Sequence, residues 1–401
     1  MSKLSRRDFL LAGASFAALG GAIRMNTAQA AAEALGLNLP NRSAAYQPWA
    51  SWNVAAPRSA LSVVHSAVLA ANAHDTQPWI FHASADRIDI CADLERNLGA
   101  MDPFRREMHL SLGCALENAA LTARSLGYAA PITLAGGSLL QASTLAGSPC
   151  AATIGLAAAG VEVSPLLAAI AHRHTNRGPY QGDRSIPNET FELMRTLTRD
   201  DAVRLIWITD PKARRDFADA TVAATESIVA DATMIADSDH WFRATDQEIE
   251  QHRDGPTLYC AGLSPLVLSF ARLMPPVSPH SAHQHWIDQT RDAQLGSQPV
   301  IGLITVRDLY DREQALLAGR LWQRLHLQGT LLGLGLQPLN QLPECVDREL
   351  QLGKPATYRQ ALASLCADPQ RHATFAFRVG WPTRSAPASP RRSLESVMTP
   401  A

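Results

Sequence analysis

The sequence predicts an α+β protein built from two tandem copies of one unit, packed about a pseudo-twofold axis like a fused homodimer. Three observations predict it. Segments of strand character alternate with helical ones along the chain. Two long apolar helices repeat one another in register, and the 401 residues, 46% apolar and 18% charged, allow two ordinary domains with a substantial core.

The repeat is specific. Arg106-Glu107, Leu110, Gly113, Leu121, Leu126 and Gly127 recur as Arg312-Glu313, Leu316, Gly319, Leu327, Leu332 and Gly333, at a constant offset of 206. Amphipathic helices share apolar positions by chance. Matching Arg-Glu starts and mid-helix glycines are harder to obtain. A mid-helix glycine costs about 1 kcal/mol against alanine, so its repetition predicts close helix approach in both halves.

Taken in order, residues 1–30 read as an address. Ser5-Arg6-Arg7-Asp8-Phe9-Leu10 opens an apolar run to Ile23, and Ala28-Gln29-Ala30 offers a small-residue cleavage site. The paired arginines before Phe-Leu resemble a twin-arginine signal, which exports folded proteins. The expectation is a periplasmic protein handled by that export machinery. The run is too short and too rich in Ala and Gly for a stable membrane span. Residues 31–58 read as an arm or linker.

The first half follows, 31–165. A helix is predicted over about 59–73, then a polar turn, Asn72-Ala73-His74-Asp75-Thr76-Gln77-Pro78-Trp79, and a hairpin over 79–92. A loop at Asp102-Pro103 leads to the long helix at 106–126, closed by Gly127. Strands are expected at 132–134 and 152–157. The second half, 166–401, carries a helix over 188–199, a strand at 203–208 and a helical stretch over 210–235. Residues 236–298, rich in Pro, His and Asp, read as an irregular excursion or lid. Val300–Val306 is the clearest buried strand, followed by the helix at 313–332 and a last strand at 374–379.

Composition excludes some partners. A net charge of -1 argues against a general nucleic-acid binder. The six cysteines are scattered without a C-x-x-C, so no zinc ribbon is predicted, and a disulfide is left open. His280, His283 and His285 have a spacing that could bind zinc. No H-E-x-x-H or carboxylate-rich partner motif accompanies them, so no metal is expected. Glu117, Asn118 and His326 read as hydrogen-bonding residues of helix interfaces and core.

Arg173-His174-Thr175-Asn176-Arg177 is the chemical centre of the chain. Two guanidiniums four residues apart, with a hydroxyl between them, suit a terminal phosphate. The duplicated unit, the Asp75-Thr76-Gln77-Pro78-Trp79 turn, this cluster, and Gly380-Trp381-Pro382 with Pro390-Arg391-Arg392 together resemble the nitroreductase superfamily. The nearest resemblance is its single-chain, internally duplicated Acg-type branch, and it spans roughly 60–395.

The resemblance implies a nitroreductase-like sandwich whose halves embrace FMN. It assigns Arg173, His174, Thr175 and Arg177, with Arg391 or Arg392, to the FMN phosphate. Asp75, Thr76, Gln77, Pro78 and Trp79 would form the opposing turn, and Asn340 and Gln341 would face the reactive edge of the flavin. Asn is usual in the family where Asp75 stands. Each half lacks one part of the site, so one FMN per chain is implied. The implied activity is hydride transfer through the flavin from a small-molecule donor to an acceptor such as a quinone, nitro compound or enone. No catalytic side chain is singled out. A flavin-sequestering protein with little turnover is the alternative, and a metal-dependent hydrolase a weaker one. The chain is read as a monomer with pseudo-dimeric halves, open to further dimerisation.

Overall fold

The computed structural model describes residues 43–52, 57–144, 148–273, 277–297, 299–366 and 368–400. The expected export signal at 1–30 and the start of the expected arm lie outside them. The elements of the first half are α1 (Gln47–Ser51), α2 (Ala60–Ala67), β1 (Trp79–Ala83), β2 (Arg87–Ala92), α3 (Arg106–Ser125), β3 (Ile132–Leu134) and β4 (Cys150–Gly155). The second half has α4 (Asn188–Arg195), β5 (Val203–Ile208), α5 (Pro211–Ala230), α6 (Ala232–Asp239), α7 (Asp246–His252), α8 (Pro265–Leu273) and α9 (Pro279–Asp288). It continues with β6 (Val300–Val306), α10 (Arg312–Leu331), β7 (Gly335–Pro338), α11 (Gln341–Leu352), α12 (Thr357–Leu365), β8 (His372–Gly380), α13 (Leu394–Val397) and β9 (Met398–Pro400).

Two sheets flank the long helices. The first runs β3-β4-β2-β1-β9 and the second, read from β7, runs β7-β8-β6-β5. Strand for strand the second repeats the order β3-β4-β2-β1 of the first. All of these neighbours are antiparallel except β9, which adds parallel to β1 with Phe81 opposite Met398. The last strand therefore crosses the expected division at 165/166 and completes the sheet of the other half. On β2 and β4, Cys91 and Cys150 face each other in register and form a disulfide.

α3 and α10 cross at their repeated glycines. A Cβ on Gly113 would lie 2.1 Å from the Leu316 carbonyl oxygen, and one on Gly319 1.9 Å from that of Leu110. The contact is reciprocal, since Leu110 and Leu316 are themselves a repeated pair. Around it, buried Glu117 accepts from Arg320 at 2.8 Å and Arg324 at 2.9 Å, and Gln323 donates to Asn118 at 2.8 Å. Both arginines meet Glu117 at Oε2, and its Oε1 is buried without a partner among the described residues.

Two expectations change. Residues 236–298 are mostly helical, because their prolines open helices where proline is tolerated. Pro265 and Pro279 stand at helix starts; Ser264 accepts from Val267 N–H and Ser278 from Ser281 N–H, while Thr245 and Glu248 form a reciprocal cap. The described part of the arm, 43–52, is packed and not a linker. Tyr46, Trp49 and Trp52 lie in the core.

Gly113→Ala is expected to destabilise the chain by about 1–3 kcal/mol, and Gly319→Ala by a similar amount. The intruded atom is a backbone carbonyl in each case, so the contact outweighs alanine's helix-propensity gain of about 1 kcal/mol. Urea denaturation midpoints of the two variants check this.

Candidate anion-binding site

Three distant segments meet above the end of α2. Arg173 follows a helical turn over Pro165–His172 and is 2% exposed. It donates to the Leu69 carbonyl at 3.1 Å and, at 3.4 Å, to Nδ1 of buried His326. His326 therefore carries its proton on Nε2, which faces the His174 carbonyl at 3.4 Å. Arg391, 1% exposed, reaches the Ala70 carbonyl at 3.1 Å and the Asp75 carboxylate at 2.5 Å.

Trp49 of α1 lies against both guanidiniums. Its ring centroid is 5.8 Å from the Arg173 guanidinium and 4.8 Å from that of Arg391, and it meets the His174 ring edge-on at 4.7 Å. Such placement over an aromatic face attracts cations. The sequence reading missed Tyr46 and Trp49. Their signal was three aromatics within seven residues, Tyr46 to Trp52, in a stretch judged by its Ala and Asn.

Four buried polar atoms here have no hydrogen-bond partner among the described residues: Arg173 Nε, Arg391 Nε, Asp75 Oδ2 and Tyr46 Oη. Leaving such groups unpaired costs about 1–3 kcal/mol each. Burial dominates the ionisation of the groups here, and the neighbouring arginines add to it. Burial, and then Arg391, lower the Arg173 guanidinium to about 9. Burial and the same two arginines push His174 down to about 3, and burial with Arg177 holds His74 at about 4. These histidines are neutral, so the charge resides on the arginines.

The turn that brings Asp75 here is strained. His74, Asp75 and Gln77 have φ of 46°, 50° and 50°, a left-handed region that costs non-glycine residues roughly 1–2 kcal/mol each. The surroundings hold it in place. Gln77 N–H donates to Asn72 at 2.8 Å, Gly255 N–H to the Asp75 carbonyl at 3.1 Å, and Arg96 to the Thr76 carbonyl.

The structure therefore brings Asp75, Arg173, His174 and Arg391 together. Half-buried Thr175 follows them, and Arg177 turns to the Cys260 carbonyl at 3.4 Å. Arg392 points elsewhere: it holds the Gln77 and Ser396 carbonyls and lies 3.6 Å from Asp93. Other expected contacts are spent inside the fold. Gln77 donates to the Arg253 carbonyl at 2.9 Å and accepts from Arg392 N–H at 2.7 Å. Thr76 bonds the Ala73 carbonyl, and Pro78 and Trp79 are buried. Asn340 donates to Glu107 at 2.9 Å and accepts from Ala376 N–H at 2.9 Å, while Gln341 is buried at the start of α11. His283 pairs with Asp239 at 2.9 Å, and among the described residues no group of three or more His, Cys, Asp and Glu is placed to hold a metal ion.

A second buried cluster was not anticipated. Asp102, Glu107, Glu344 and Asp347 surround one guanidinium, that of Arg106, which bonds Asp347 at 2.8 Å. Burial, against the pull of Arg106, raises Asp102 to about 6 and Glu107 to about 8, and raises Glu344 well above the usual range. One cation cannot sustain four buried anions, so the cluster holds protons at neutral pH.

No protein-family model and no curated protein matches the chain. Solved structures similar in shape include an FMN-bound nitroreductase from Bacteroides fragilis, 9% identical, overlapping 60% of this chain and 100% of that one with a TM-score of 0.33. Another is an FMN-dependent nitroreductase from Mycobacterium smegmatis in complex with NADPH, 14% identical over 58% of this chain and 96% of that one, TM-score 0.37. A third, an FMN-bound nitroreductase from Desulfitobacterium hafniense, is 11% identical over 60% and 100%, TM-score 0.35. The site is read from its own residues.

A carboxyl whose pKa is raised on folding stabilises the fold below its ordinary value, and that stability is lost as pH rises through the folded value. For Glu107 the window runs from 4.5 to about 8. Thermal midpoints of the wild type are expected to fall across it, and those of Glu107→Gln to fall less. An equal slope in both would remove Glu107 from the cluster's titration.

Proposed function

We propose that the chain is a flavin-dependent oxidoreductase of the nitroreductase type that holds one FMN, with the phosphate on Arg173 and Arg391. One observation carries the reading: two fully buried guanidiniums from opposite ends of the second half lie near a single carboxylate, which pairs with Arg391 alone, and each keeps a free Nε. A phosphate fits that donor set, because its oxygens accept the two free N–H groups and the Tyr46 hydroxyl, and its charge balances the arginines. Burial, then Cys260 and Asp75, raise the Tyr46 phenol far above its ordinary range, so it remains a donor.

When bound, FMN would supply hydride chemistry toward a small acceptor such as a quinone, nitro compound or enone. The protein's part is to bind and orient. Gln77 and Asn340 act here as scaffold, fixing the Asp75 turn and the start of α11. The reciprocal glycine contact and the common strand order support reading the two halves as copies packed about a pseudo-twofold axis. The halves differ in that only one carries the Arg-His-Thr-Asn-Arg cluster, which supports a single flavin per chain. We further propose export to the periplasm by the twin-arginine route; the Cys91–Cys150 disulfide suits an oxidising compartment. No described helix is long and apolar enough to cross a membrane.

The purified chain is expected to be yellow and to release about one FMN on heating, a ratio that visible absorption against protein concentration measures. Arg173→Ala should weaken FMN binding about ten- to a hundredfold, the equivalent of about 1.5–3 kcal/mol for a charge-assisted hydrogen bond. Riboflavin, which lacks the phosphate, should lose much less. Equal losses for the two ligands would assign Arg173 to structure alone.

A further inference from the structure

The charges of the site do not balance in the way a plain phosphate pocket would. Two buried guanidiniums are present, and one of them is already taken. Arg391 is paired at 2.5 Å with Asp75, whose side chain is 11% exposed. The carboxylate offers only Oδ1 to its neighbours, Arg391 and Asn72, the latter at 3.2 Å. Its other oxygen, Oδ2, is buried without a partner. A phosphate dianion brought to Arg173 and Arg391 would meet this carboxylate directly. With both anions ionised, three negative charges would face two positive ones inside the protein. Buried charge of that kind is neutralised by protonation where a group can accept a proton.

Resting on the FMN reading above, we propose that Asp75 is the built-in counter-ion of the anion site. Its carboxylate occupies Arg391 until a phosphate dianion takes that guanidinium, and the displaced carboxylate then takes up one proton from solvent. The proton gives Oδ2 a donor function toward a phosphate oxygen, so the group that repelled the ligand becomes one that binds it. Position 75 thereby sets both the affinity for a phosphorylated ligand and its dependence on pH.

The groups around Asp75 favour this. Burial, with Asp254, raises the Asp75 carboxyl in the free protein, and Arg391, Asn72 and Arg173 pull against that rise. A dianion that engages both arginines removes their pull and adds to the rise. Tyr46 and Cys260 also face it, both raised by burial and uncharged at neutral pH. His174, beside the same arginines, His326, behind Arg173, and His74, next to Asp75 in the chain and close to Arg177, are the other groups that a bound dianion could protonate. The backbone tolerates a neutral substitute at this position. Asn is among the few residues that enter the left-handed region readily, and its amide oxygen can still accept from Arg391.

The test uses the flavin-free full chain, with FMN and riboflavin as probes, titrated calorimetrically in two buffers of different ionisation enthalpy. Between about pH 6.5 and pH 8, where the phosphate is mostly a dianion, wild-type affinity for FMN should fall as pH rises. The limit is about tenfold per pH unit for one coupled proton. Proton uptake should approach one per FMN and be near zero for riboflavin. Asp75→Asn should bind FMN about tenfold more tightly, with uptake near zero and riboflavin affinity unchanged. Absence of proton uptake by the wild type overturns the proposal whatever the variant does. Uptake that persists in Asp75→Asn overturns it too, and assigns the proton to a histidine. A wild type that binds FMN no better than riboflavin would instead refute the phosphate site itself.

Discussion

Everything in this fold depends on two glycines. Gly113 and Gly319 let α3 and α10 approach until each backbone touches the other's carbonyl. No other pair of residue types would allow it, since a single added carbon on either helix would lie about 2 Å from oxygen. The crossing fixes the distance between the two sheets. It also places the end of α2, which packs on α3, beside His326 of α10, and Arg173 spans that gap from Leu69 to His326. The site is thus a product of the helix crossing more than of any local motif.

What the crossing makes possible is costly. Burying a guanidinium without a full partner costs several kcal/mol, and this site buries two with one carboxylate, which pairs with Arg391. Backbone carbonyls at Leu69 and Ala70 and the face of Trp49 return part of that cost. The left-handed backbone at His74, Asp75 and Gln77 adds more strain at the same place. A fold selected for stability alone would remove both. Their coincidence within one small region is the pattern expected where a ligand supplies the missing charge.

Much of this was legible in the chain. The strands at 79–92, 203–208 and 300–306 and both long helices follow from period and caps, because burial on one face writes itself into the residue pattern. The repeated glycines announced the crossing before its geometry was known. Arg173 and Asp75 stand out in the chain by residue type and order, and the structure places both near Arg391. Other features are not legible in the chain, each for its own physical reason. Proline was read as irregularity in 236–298, although at a helix start it removes only an N–H that has no partner. Gln77 and Asn340, expected at the ligand, bond within the fold, because an amide's two-sided bonding ties backbone together as readily as it meets a ligand, and sequence carries no sign of which use prevails. The acidic cluster escaped because its members, Asp102, Glu107, Glu344 and Asp347, are polar residues scattered over both halves that only packing brings together.

The two halves contribute unlike things to the site, and Arg378 shows why. Fully buried on β8, it has no carboxylate partner among the described residues and directs its donors to Gln337 at 2.7 Å, the Gln294 carbonyl at 2.9 Å and the Gly178 carbonyl at 2.6 Å. Tyr180 stacks on it at 3.9 Å, and Asn176 N–H bonds the Leu336 carbonyl at 3.1 Å. The segment that ends the Arg-His-Thr-Asn-Arg cluster is therefore bolted to the second sheet. Asp75 belongs to a turn that leads straight into β1 of the first. The chain then returns, places Arg391 against Asp75, and closes the first sheet with β9. Arg173 comes from the segment tied to the second sheet and Arg391 from the one that leads into β9 of the first, and the two guanidiniums meet at the carbonyls of Leu69 and Ala70 beyond α2. A change in how the sheets sit on the α3–α10 crossing would alter the spacing of the two arginines before it altered either one alone.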